Sequence, residues 1–322
     1  MALLETIAAQ AGRVSVVGSM NADYTVVTER LPEPGETVNG GPLAILPGGK
    51  SANQAAAAAK LGAQVRMFGK VGSDANADFL LARLAETGVD TSHVGRAEGA
   101  SGTTVITVDA HCENTIVYSA GSNALVDVAY AEDSRAALVD AAVLGLCLES
   151  PMPVVTACAQ AAHDAGLTVL LNDSPFVPTL PAELVAACDI LLVNEHEMAQ
   201  LLGVAKPDDG DWDRADWPAI AAAMHGFGFG RVVVTLGGDG SVVIDGDLLT
   251  RIPAVRVAAV DTTGCGDAFM GTVLAGLAAG LTLAEAASAA SYVAAYAACG
   301  HGAQASYGTT GQIMARFAGG GR

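Results

Sequence analysis

Apolar and polar residues follow two different periods along this chain. Short apolar runs, such as residues 14–19 (VSVVGS) and 143–148 (VLGLCL), are typical of strands covered on both faces. Between such runs, apolar residues recur every three or four positions, as in residues 153–165, which is typical of helices. From residue 143 onward the two patterns alternate. This alternation predicts an α/β fold of three layers, α/β/α, with a mainly parallel central sheet.

The same patterns predict the individual elements. Strands are expected at residues 14–19, 24–27, 36–46, 64–70, 103–109, 115–119, 143–148, 168–172, 190–193, 231–236, 241–245, 249–252 and 255–260. Helices are expected at residues 51–61, 74–87, 153–165, 195–202, 218–227 and 268–279. The early strands interrupt the alternation. We therefore expect one domain, residues 1–322, with a small β-sheet lid formed discontinuously by residues of about 22–46 and 100–120.

Composition and charge exclude some classes of protein. Of the 322 residues 51% are hydrophobic, which is enough for a sizeable core, and the formal net charge is −18. Nucleic acids and anionic membranes bind basic surfaces, so neither is expected as a partner. Residues 268–284 carry no charge, but glycines and turn signals interrupt them, and they predict two buried helices rather than a membrane span.

Cysteine usage and the amino-terminal residues bear on the compartment. The six cysteines form no C-x-x-C pair, and several lie in apolar patterns typical of free, buried thiols. Residues 1–12 lack the basic start of a signal peptide. A reducing, cytoplasmic location is therefore expected.

The strongest chemical signal is the run at residues 261–271 (DTTGCGDAFMG). It places glycines and the carboxylate of Asp267 at the start of a long apolar helix. Unpaired N–H groups and the helix dipole attract a phosphate to such a start, and glycines let it approach closely. A carboxylate beside an anion is explained if Asp267 accepts a proton from a hydroxyl that attacks the phosphate. The alternative is that Asp267 only caps the helix.

The run at residues 47–54 (PGGKSANQ) opens another predicted helix with a glycine pair. Its first turn carries Lys50 and Asn53 on one face, where ammonium and amide groups suit a polyol. The spacing of the glycines differs from that of a Walker motif. The alternative is a capped helix with an exposed lysine.

Carboxylates and an amide follow two predicted strands. Asn21 and Asp23 alternate after residue 19, so both side chains can point to one side, and Glu149 follows residue 148. Ligands of open α/β sheets bind beyond the carboxyl ends of strands, and a carboxylate can bind two vicinal hydroxyls. The alternative for Asn21 and Asp23 is an Asx turn.

Two motifs indicate a nucleotide. Asn194 and Glu197 open the helix predicted at residues 195–202, where Glu197 would organise the waters of a nucleotide-bound Mg²⁺. Their spacing is equally that of a capping box. Thr235 precedes a glycine-rich turn at residues 237–240, which suits close backbone approach to phosphates but is weak evidence alone.

Histidine and cysteine offer no competing chemistry. The six histidines show neither triad nor metal-ligand spacing and are interpreted as structural or surface residues. No histidine is placed in sequence to activate Cys265, so this residue is expected to contribute its backbone N–H.

In their order along the chain, from about residue 14 to residue 306, these motifs resemble the ribokinase-like (PfkB) carbohydrate kinases, and among them the kinases of ribose. The signatures Gly-Gly-Lys-x-Ala-Asn-Gln and Asp-Thr-x-x-x-Gly-Asp are the most specific part of the resemblance. It implies that Asp267 is the catalytic base and that the N–H groups of Gly264, Cys265 and Gly266 form its anion hole.

The resemblance also implies the binding residues. Those implied for the sugar are Asn21, Asp23, Gly49, Lys50, Asn53 and Glu149. Those implied for the nucleotide and its Mg²⁺ are Asn194, Glu197, Thr235, Gly237, Gly240 and Ser291. Those implied for an activating K⁺ are Asp261, Thr263, Ala297, Gly302 and Ser306.

The resemblance implies transfer of the ATP γ-phosphoryl group to the primary hydroxyl of D-ribose, in a homodimer paired through the lid. A nucleoside kinase would need aromatic residues in the lid, which offers only Tyr24 and Tyr118. A sugar-phosphate kinase would need extra basic residues, yet Arg30 is the only one between residues 21 and 46. Other pentoses or hexoses and deoxyribose stay open as acceptors. A sugar-binding regulator without catalysis, and an α/β domain for another ligand, are further alternatives.

Three residues depart from the family pattern. Ser51 replaces a usual glycine, and its hydroxyl is expected to cap the helix or crowd the sugar pocket. Asp239 stands in the nucleotide turn where a basic residue is common, which removes a phosphate contact, and Ser291 stands where Asn or His is usual.

The acidic run at residues 206–217 is interpreted as a solvated connection.

Overall fold

The computed structural model describes residues 1–111, 113–204, 207 and 211–318. Its strands are β1 (Arg13–Val17), β2 (Asn21–Val27), β3 (Ala44–Gly48), β4 (Gln64–Val71), β5 (Val94–Arg96), β6 (Gly102–Val108), β7 (Asn114–Ser119), β8 (Val143–Cys147), β9 (Thr168–Asn172), β10 (Ile190–Asn194), β11 (Arg231–Thr235), β12 (Ser241–Asp245) and β13 (Leu248–Ile252). Its helices are α1 (Ala2–Gln10), α2 (Lys50–Lys60), α3 (Ala75–Glu86), α4 (Val128–Leu138), α5 (Met152–Asp164), α6 (Ala182–Ala187), α7 (Glu195–Leu202), α8 (Trp217–Phe227), α9 (Cys265–Ala278), α10 (Leu283–Ala297) and α11 (Thr310–Phe317).

The large sheet confirms the α/β architecture. Its nine strands lie in the order β13-β12-β11-β10-β9-β8-β1-β4-β5. The pairs from β11 to β5 are parallel, and only the hairpin β12–β13 adds antiparallel strands at one edge. One apolar core packs α1, α2, α3, α9, α10 and α11 on one face, and a second core packs α4 to α8 on the other. Covered on both faces, the central strands are almost entirely apolar, as their sequences predicted.

A second sheet of four strands lies in the order β3-β2-β6-β7. We call it the small sheet. Strands β2 and β6 are parallel, whereas β2–β3 and β6–β7 are antiparallel. The register aligns Leu46, Asp23, Thr104 and Tyr118 in one row across all four strands, so these side chains share a face. The small sheet therefore presents polar groups from three of its strands together.

Two strand predictions are wrong. Residues 255–260 form no strand, because the large sheet ends at β13 and leaves this segment without a neighbouring strand to pair with. Instead, the N–H of Val260 donates to the carbonyl of Ala298 (2.7 Å). Of residues 36–46, only the last three belong to a strand, β3, because the Gly40-Gly41-Pro42 run interrupts the extended pattern.

Several elements lie where no element was predicted, among them α1, α4, α6, α11 and β5, and α10 lies almost wholly beyond the predicted helices. Helix α1 buries Leu4 and Ile7 against the first core, and helix α4 begins at an Asp127 side chain that accepts the N–H of Tyr130. Strand β5 is only three residues long and pairs with the end of β4. Short elements such as β5 carry too few residues to show a period.

The cysteines that the structure describes agree with the expectation of free, mostly buried thiols. Cys147, Cys158 and Cys188 are free and buried, and Cys265 and Cys299 are free and partly buried. Cys112 and residues 206 and 208–210 of the acidic run at residues 206–217 lie outside the described residues. In the described parts of the chain, every helix is too short or too polar to cross a bilayer.

Candidate active site

The predicted site residues gather at the carboxyl ends of parallel strands. Glu149 follows β8, Asn194 ends β10 and Thr235 ends β11. The small sheet begins at the same edge, because β2 starts with Asn21 just after β1. Ligand sites of open α/β sheets lie at this edge, since there the loops and helix starts converge.

Asp267 lies in the first turn of α9. Its Oδ2 accepts the Asn53 Nδ2 amide (2.9 Å), and its Oδ1 accepts the Gln54 Nε2 amide (3.2 Å), both from the start of α2. Gly264 precedes α9 with φ +75, and a Cβ there would lie 2.6 Å from the Tyr307 hydroxyl. Two helices thus fix one carboxylate through hydrogen bonds to both of its oxygens.

The environment of Asp267 favours a carboxyl group poised to accept a proton. Burial raises its pKa to about 6, although the charge of Lys50 and the amide of Asn53 lower it. Burial lowers the pKa of Lys50, but the charges of Asp267 and Glu149 raise it above its ordinary value overall. Lys50 therefore stays an ammonium, and Asp267 sits closer to neutrality than a surface aspartate.

The other two carboxylates lie close to Asp267. Burial raises the pKa of Asp23 to about 6, a hydrogen bond with Thr104 lowers it, and the charges of Glu149 and Asp267 raise it further. Glu149 Oε2 accepts the hydroxyl of Ser19 and the backbone N–H of Lys50 (3.1 Å). Asp23, Glu149 and Asp267 form a pocket that we call the acid-lined pocket, and the last two of these acids interact with the Lys50 ammonium. Its acceptors suit several hydroxyl groups.

Asn21 is tied into the protein by a residue that sequence analysis missed. The Asn123 Nδ2 amide donates to Asn21 Oδ1 (2.7 Å), and Asn123 Oδ1 accepts the backbone N–H of Met20 (3.1 Å). Asn123 is also 3.4 Å from the hydroxyl of Tyr118. Burial raises the pKa of Tyr118 to about 12, and the charge of Glu149 adds to this.

Asn53 and Gln54 form a network with Gln304, also missed from sequence. Gln304 Nε2 donates to Asn53 Oδ1 (3.1 Å), so both polar atoms of the Asn53 amide have protein partners. Gly49 begins α2 with φ +91, where a Cβ would lie 2.8 Å from the carbonyl oxygen of Ser19. In the sequence, only the short Gly-Ser-Asn run at residues 121–123 could have drawn attention to Asn123. No sequence pattern marks Gln304 as a site residue.

A cavity of about 410 Å³ lies between the glycine-rich turn after β11 and the start of α9. Four predicted nucleotide residues line it, namely Thr235, Gly237, Gly240 and Ser291. Cys265 and Gly266 line it from the other side. The fold thus brings the predicted nucleotide turn and the predicted anion hole to one cavity.

The three N–H groups predicted as an anion hole differ in availability. The N–H of Cys265 donates to the carbonyl of Thr262 (3.2 Å). Within the described chain, the N–H groups of Gly264 and Gly266 have no protein acceptor. A helix start with unpaired N–H groups can hold an anion without rearrangement. Burial raises the pKa of the Cys265 thiol to about 11, which makes it a poor nucleophile.

Asn194 and Glu197 form the capping box that was the alternative interpretation. Asn194 Oδ1 accepts the N–H of Glu197 (2.8 Å), and Glu197 Oε2 accepts the N–H of Asn194 (2.9 Å). The capping box uses only the Oε2 oxygen of Glu197, so Oε1 takes no part in it. Neither Asn194 nor Glu197 is among the residues that line the cavity. A single carboxylate oxygen nevertheless fits Mg²⁺, which retains waters and takes few protein ligands.

The residues predicted around K⁺ converge from two segments. Asp261 accepts the N–H of Thr263 (2.9 Å) and, across to the second segment, the N–H of Gly302 (2.8 Å). Two more of the predicted residues lie beside Gly300. A Cβ built there would lie 2.9 Å from Ser306 Cβ and 3.8 Å from the Ala297 carbonyl oxygen. Carboxylate, hydroxyl and carbonyl oxygens are the donor set that a hard monovalent cation takes, so these residues fit the group.

The expectation for Ser51 is wrong. Its hydroxyl neither caps α2 nor enters the sugar pocket, but donates to the carbonyl of Val17 (3.2 Å) and lies 2.9 Å from the Cys147 thiol. The cause is the neighbouring Gly18, where a Cβ would lie 2.0 Å from Ser51 Oγ. The glycine leaves room for the hydroxyl between α2 and the large sheet.

Comparison with known proteins agrees with this geometry. Residues 11–310 match the pfkB family of carbohydrate kinases. Ribokinase of Haemophilus influenzae is 35% identical over 259 residues, covering 80% of this chain and 83% of the relative. Deoxyribokinase of Salmonella typhi is 34% identical over 259 residues, with the same two coverages of 80% and 83%. The structure of Arabidopsis thaliana ribokinase complexed with ribose and ATP has a TM-score of 0.84 at 29% identity, covering 95% of this chain and 98% of that one. The chain therefore belongs to the pfkB family of carbohydrate kinases.

Proposed function

We propose that this kinase transfers the γ-phosphoryl group of ATP to the primary hydroxyl of D-ribose, giving D-ribose 5-phosphate and ADP. The observation that carries the proposal is the position of Asp267. Amides of α2 hold its carboxylate between the acid-lined pocket and the unpaired N–H groups of the cavity. The names of the relatives support ribose and deoxyribose as acceptors.

In the proposed reaction, Asp267 accepts the proton of the attacking hydroxyl. Lys50 stays protonated beside it and favours its ionised form. The N–H groups of Gly264 and Gly266 receive the negative charge that develops on the transferred group, with the N–H of Cys265 as a third donor. Removing one such donor from an anion hole typically costs about 10² to 10³ in rate.

The proposed sugar-binding set is Asn21, Asp23, Gly49, Lys50, Asn53 and Glu149. Gly49 contributes by lacking a side chain, which lets the start of α2 lie against the backbone of residues 19–21. A carboxylate that accepts two hydroxyls selects a polyol. Asn53 acts mainly by holding Asp267, because both atoms of its amide are engaged.

Thr235, Gly237, Gly240 and Ser291 are the proposed nucleotide-binding set. Asn194 and Glu197 are proposed to hold the waters of Mg²⁺. When bound with the nucleotide, Mg²⁺ supplies positive charge to the phosphate oxygens. Asp261, Thr263, Ala297, Gly302 and Ser306 are proposed to hold K⁺ and so to order the loop before α9.

The small sheet is proposed to act as the lid and to pair two copies of the chain. Of the thirteen large apolar side chains exposed in the described chain, eight lie in the segments of this sheet, from Val27 to Leu46 and from Val105 to Tyr118. Among these, Ile45, Val105 and Val117 stand in one row on the face opposite Asp23. An exposed apolar row of this kind is typical of an interface. The row of Asp23, Thr104 and Tyr118 supports the lid, because it carries polar groups toward the pocket.

The test is ADP release from Mg-ATP with a panel of acceptors, first in K⁺ and then in Na⁺. Ribose, 2-deoxyribose, other pentoses, hexoses and nucleosides form the panel. We expect the fastest turnover with ribose and a clear loss in Na⁺. Faster turnover with 2-deoxyribose would identify 2-deoxyribose as the preferred acceptor and leave the proposed mechanism unchanged. No turnover with any acceptor, while ribose still raises the Tm, would favour the sugar-binding regulator instead.

A further inference from the structure

The nucleotide cavity poses an electrostatic problem. A nucleoside triphosphate is a multiply charged anion, and this chain has a formal net charge of −18. Among the described residues that line the cavity, Arg256 alone has a charged side chain. The remaining wall consists of glycine, small apolar and hydroxyl-bearing residues together with Cys265 and Phe269.

The glycine-rich turn adds an acid rather than a base. Asp239 lies in this turn, and its Oδ1 is 3.9 Å from Arg256 Nη2. The guanidinium of Arg251 donates to the carbonyl of Asp239 (3.3 Å). Both arginines come from one stretch of chain, because Arg251 belongs to β13 and Arg256 follows it toward α9.

The pair of Arg256 and Asp239 is loosely made. A separation of 3.9 Å is too long for a hydrogen bond, and the side chain of Arg256 is 82% exposed. Water therefore screens the attraction, and the pair contributes little to stability. A guanidinium has five N–H donors in a fork that matches phosphate oxygens, so a phosphate bound in the cavity can replace this weakly paired carboxylate.

We propose that Arg256 is the phosphate-binding cation of the nucleotide site and that it leaves its weak pairing with Asp239 when the nucleotide binds. The inference rests on the proposed function, because it takes the cavity to be the ATP site. The glycine-rich turn at residues 237–240 lacks a basic residue. Arg256, in the segment between β13 and α9, supplies the positive charge instead. Arg256 thereby replaces the contact that Asp239 removes.

The experiment compares Arg256→Gln with Arg231→Gln. Arg231 pairs with Asp245 (3.2 Å) at the far end of the hairpin β11–β12, so it is a matched arginine outside the cavity. We measure KM for ATP, kcat, and the rise of Tm with ATP and with adenosine. Arg256→Gln should raise KM for ATP by about five- to tenfold with kcat within about twofold, since binding rather than the chemical step is lost.

Adenosine separates the phosphate contact from the rest of the site. In Arg256→Gln, the Tm shift with adenosine should equal that of the unmodified protein, and Arg231→Gln should leave every quantity unchanged. Adding Asp239→Lys to Arg256→Gln should restore KM for ATP, because the cation then stands in the turn. An unchanged KM for ATP in Arg256→Gln, or an equal loss of adenosine binding, would overturn the inference. If the unmodified protein binds no ATP at all, the proposed function fails first.

Discussion

Asp267 is subject to opposing influences at the scale of a single residue. Burial raises its pKa, while Lys50 and the amides of Asn53 and Gln54 stabilise its ionised form. The resulting value of about 6 lies below neutral pH, so the carboxylate is mostly ionised there yet remains a stronger base than an exposed aspartate. A residue with that balance is suited to take a proton during the reaction.

Asp267→Asn tests this role directly. The amide keeps the shape of the carboxyl group and an oxygen for one of its two donors, so we expect a folded protein that still binds ribose. The rate of ADP release should fall by about 10² to 10⁴, because an amide cannot accept the proton. Ribose-dependent Tm shifts and steady-state turnover measure the two properties separately. A variant that keeps more than about a tenth of the original rate would contradict the assignment of the base.

Asp23→Asn tests, through stability, the electrostatic strain of the acid-lined pocket. The pKa of Asp23 is raised to about 6 in the folded state, so the folded protein binds more protons than the unfolded chain between pH 4 and pH 6. Ionisation of Asp23 therefore costs stability, and this cost is complete above pH 6. We expect Asp23→Asn to raise the Tm at pH 8 and to leave it unchanged near pH 3.5.

The control for this prediction is Asp247→Asn, in the exposed turn between β12 and β13. It should not raise the Tm at pH 8. If Asp23→Asn lowers the Tm at pH 8, the carboxylate of Asp23 stabilises the fold and the proposed strain does not exist.

At the scale of elements, the contact between α2 and α9 positions the site. A Cβ at Gly271 would lie 2.4 Å from the carbonyl oxygen of Gln54 and 2.8 Å from Ala57 Cβ. The two helices therefore touch backbone to backbone, one turn beyond the hydrogen bonds of Asp267. Any separation of the helices moves the base away from the amides of Asn53 and Gln54.

Gly271→Ala should accordingly weaken both stability and catalysis. We expect a loss of about 1 to 3 kcal/mol in the free energy of unfolding, because neither backbone can yield easily. The kcat should fall by about 10-fold to 100-fold, since small displacements of a catalytic group are costly. Denaturant unfolding and ADP release measure the two effects.

Gly226→Ala is the matched control in α8. A Cβ at Gly226 meets nothing within 4 Å, so the change should leave kcat unaltered and add up to about 1 kcal/mol of stability. Equal behaviour of the two variants would mean that close packing of α2 on α9 does not position Asp267.

At the scale of the whole molecule, the small sheet exposes an apolar surface that the large sheet does not. Val105 and Val117 are register partners on β6 and β7, with 52% and 67% of their surface exposed. Exposed strands with apolar faces are stable in water only when another surface covers them. A second copy of this chain is the proposed cover.

Val117→Asp should therefore break the proposed dimer. A charge at the centre of an apolar interface leaves an unpaired, desolvated carboxylate. Light scattering over a range of concentrations should report half the original mass. Leu248→Asp is the control, since Leu248 is 63% exposed on β13 of the large sheet and should not alter the mass. A monomer before any substitution would contradict the dimer.

Much of the fold follows from local pattern. The apolar runs located β1, β4 and β8 to β12, because a central strand must be apolar on both faces. Helix α7 was predicted without error, because Asn194 and Glu197 mark its start and Gly203 its end. The strand expected at residues 255–260 was wrong because a strand depends on a neighbour that its own residues do not specify.

The sequence by itself determined the fold class, the residue types of the site and the order of the motifs, because periodicity and helix starts are written in neighbouring residues. Only the tertiary structure decided which of these residues meet. Asn123 reaches Asn21 across 102 residues and Gln304 reaches Asn53 across 251, and no local pattern records such contacts. The hydroxyl of Ser51 turned away from the pocket for the same reason, since the space beside Gly18 exists only once α2 packs on the large sheet.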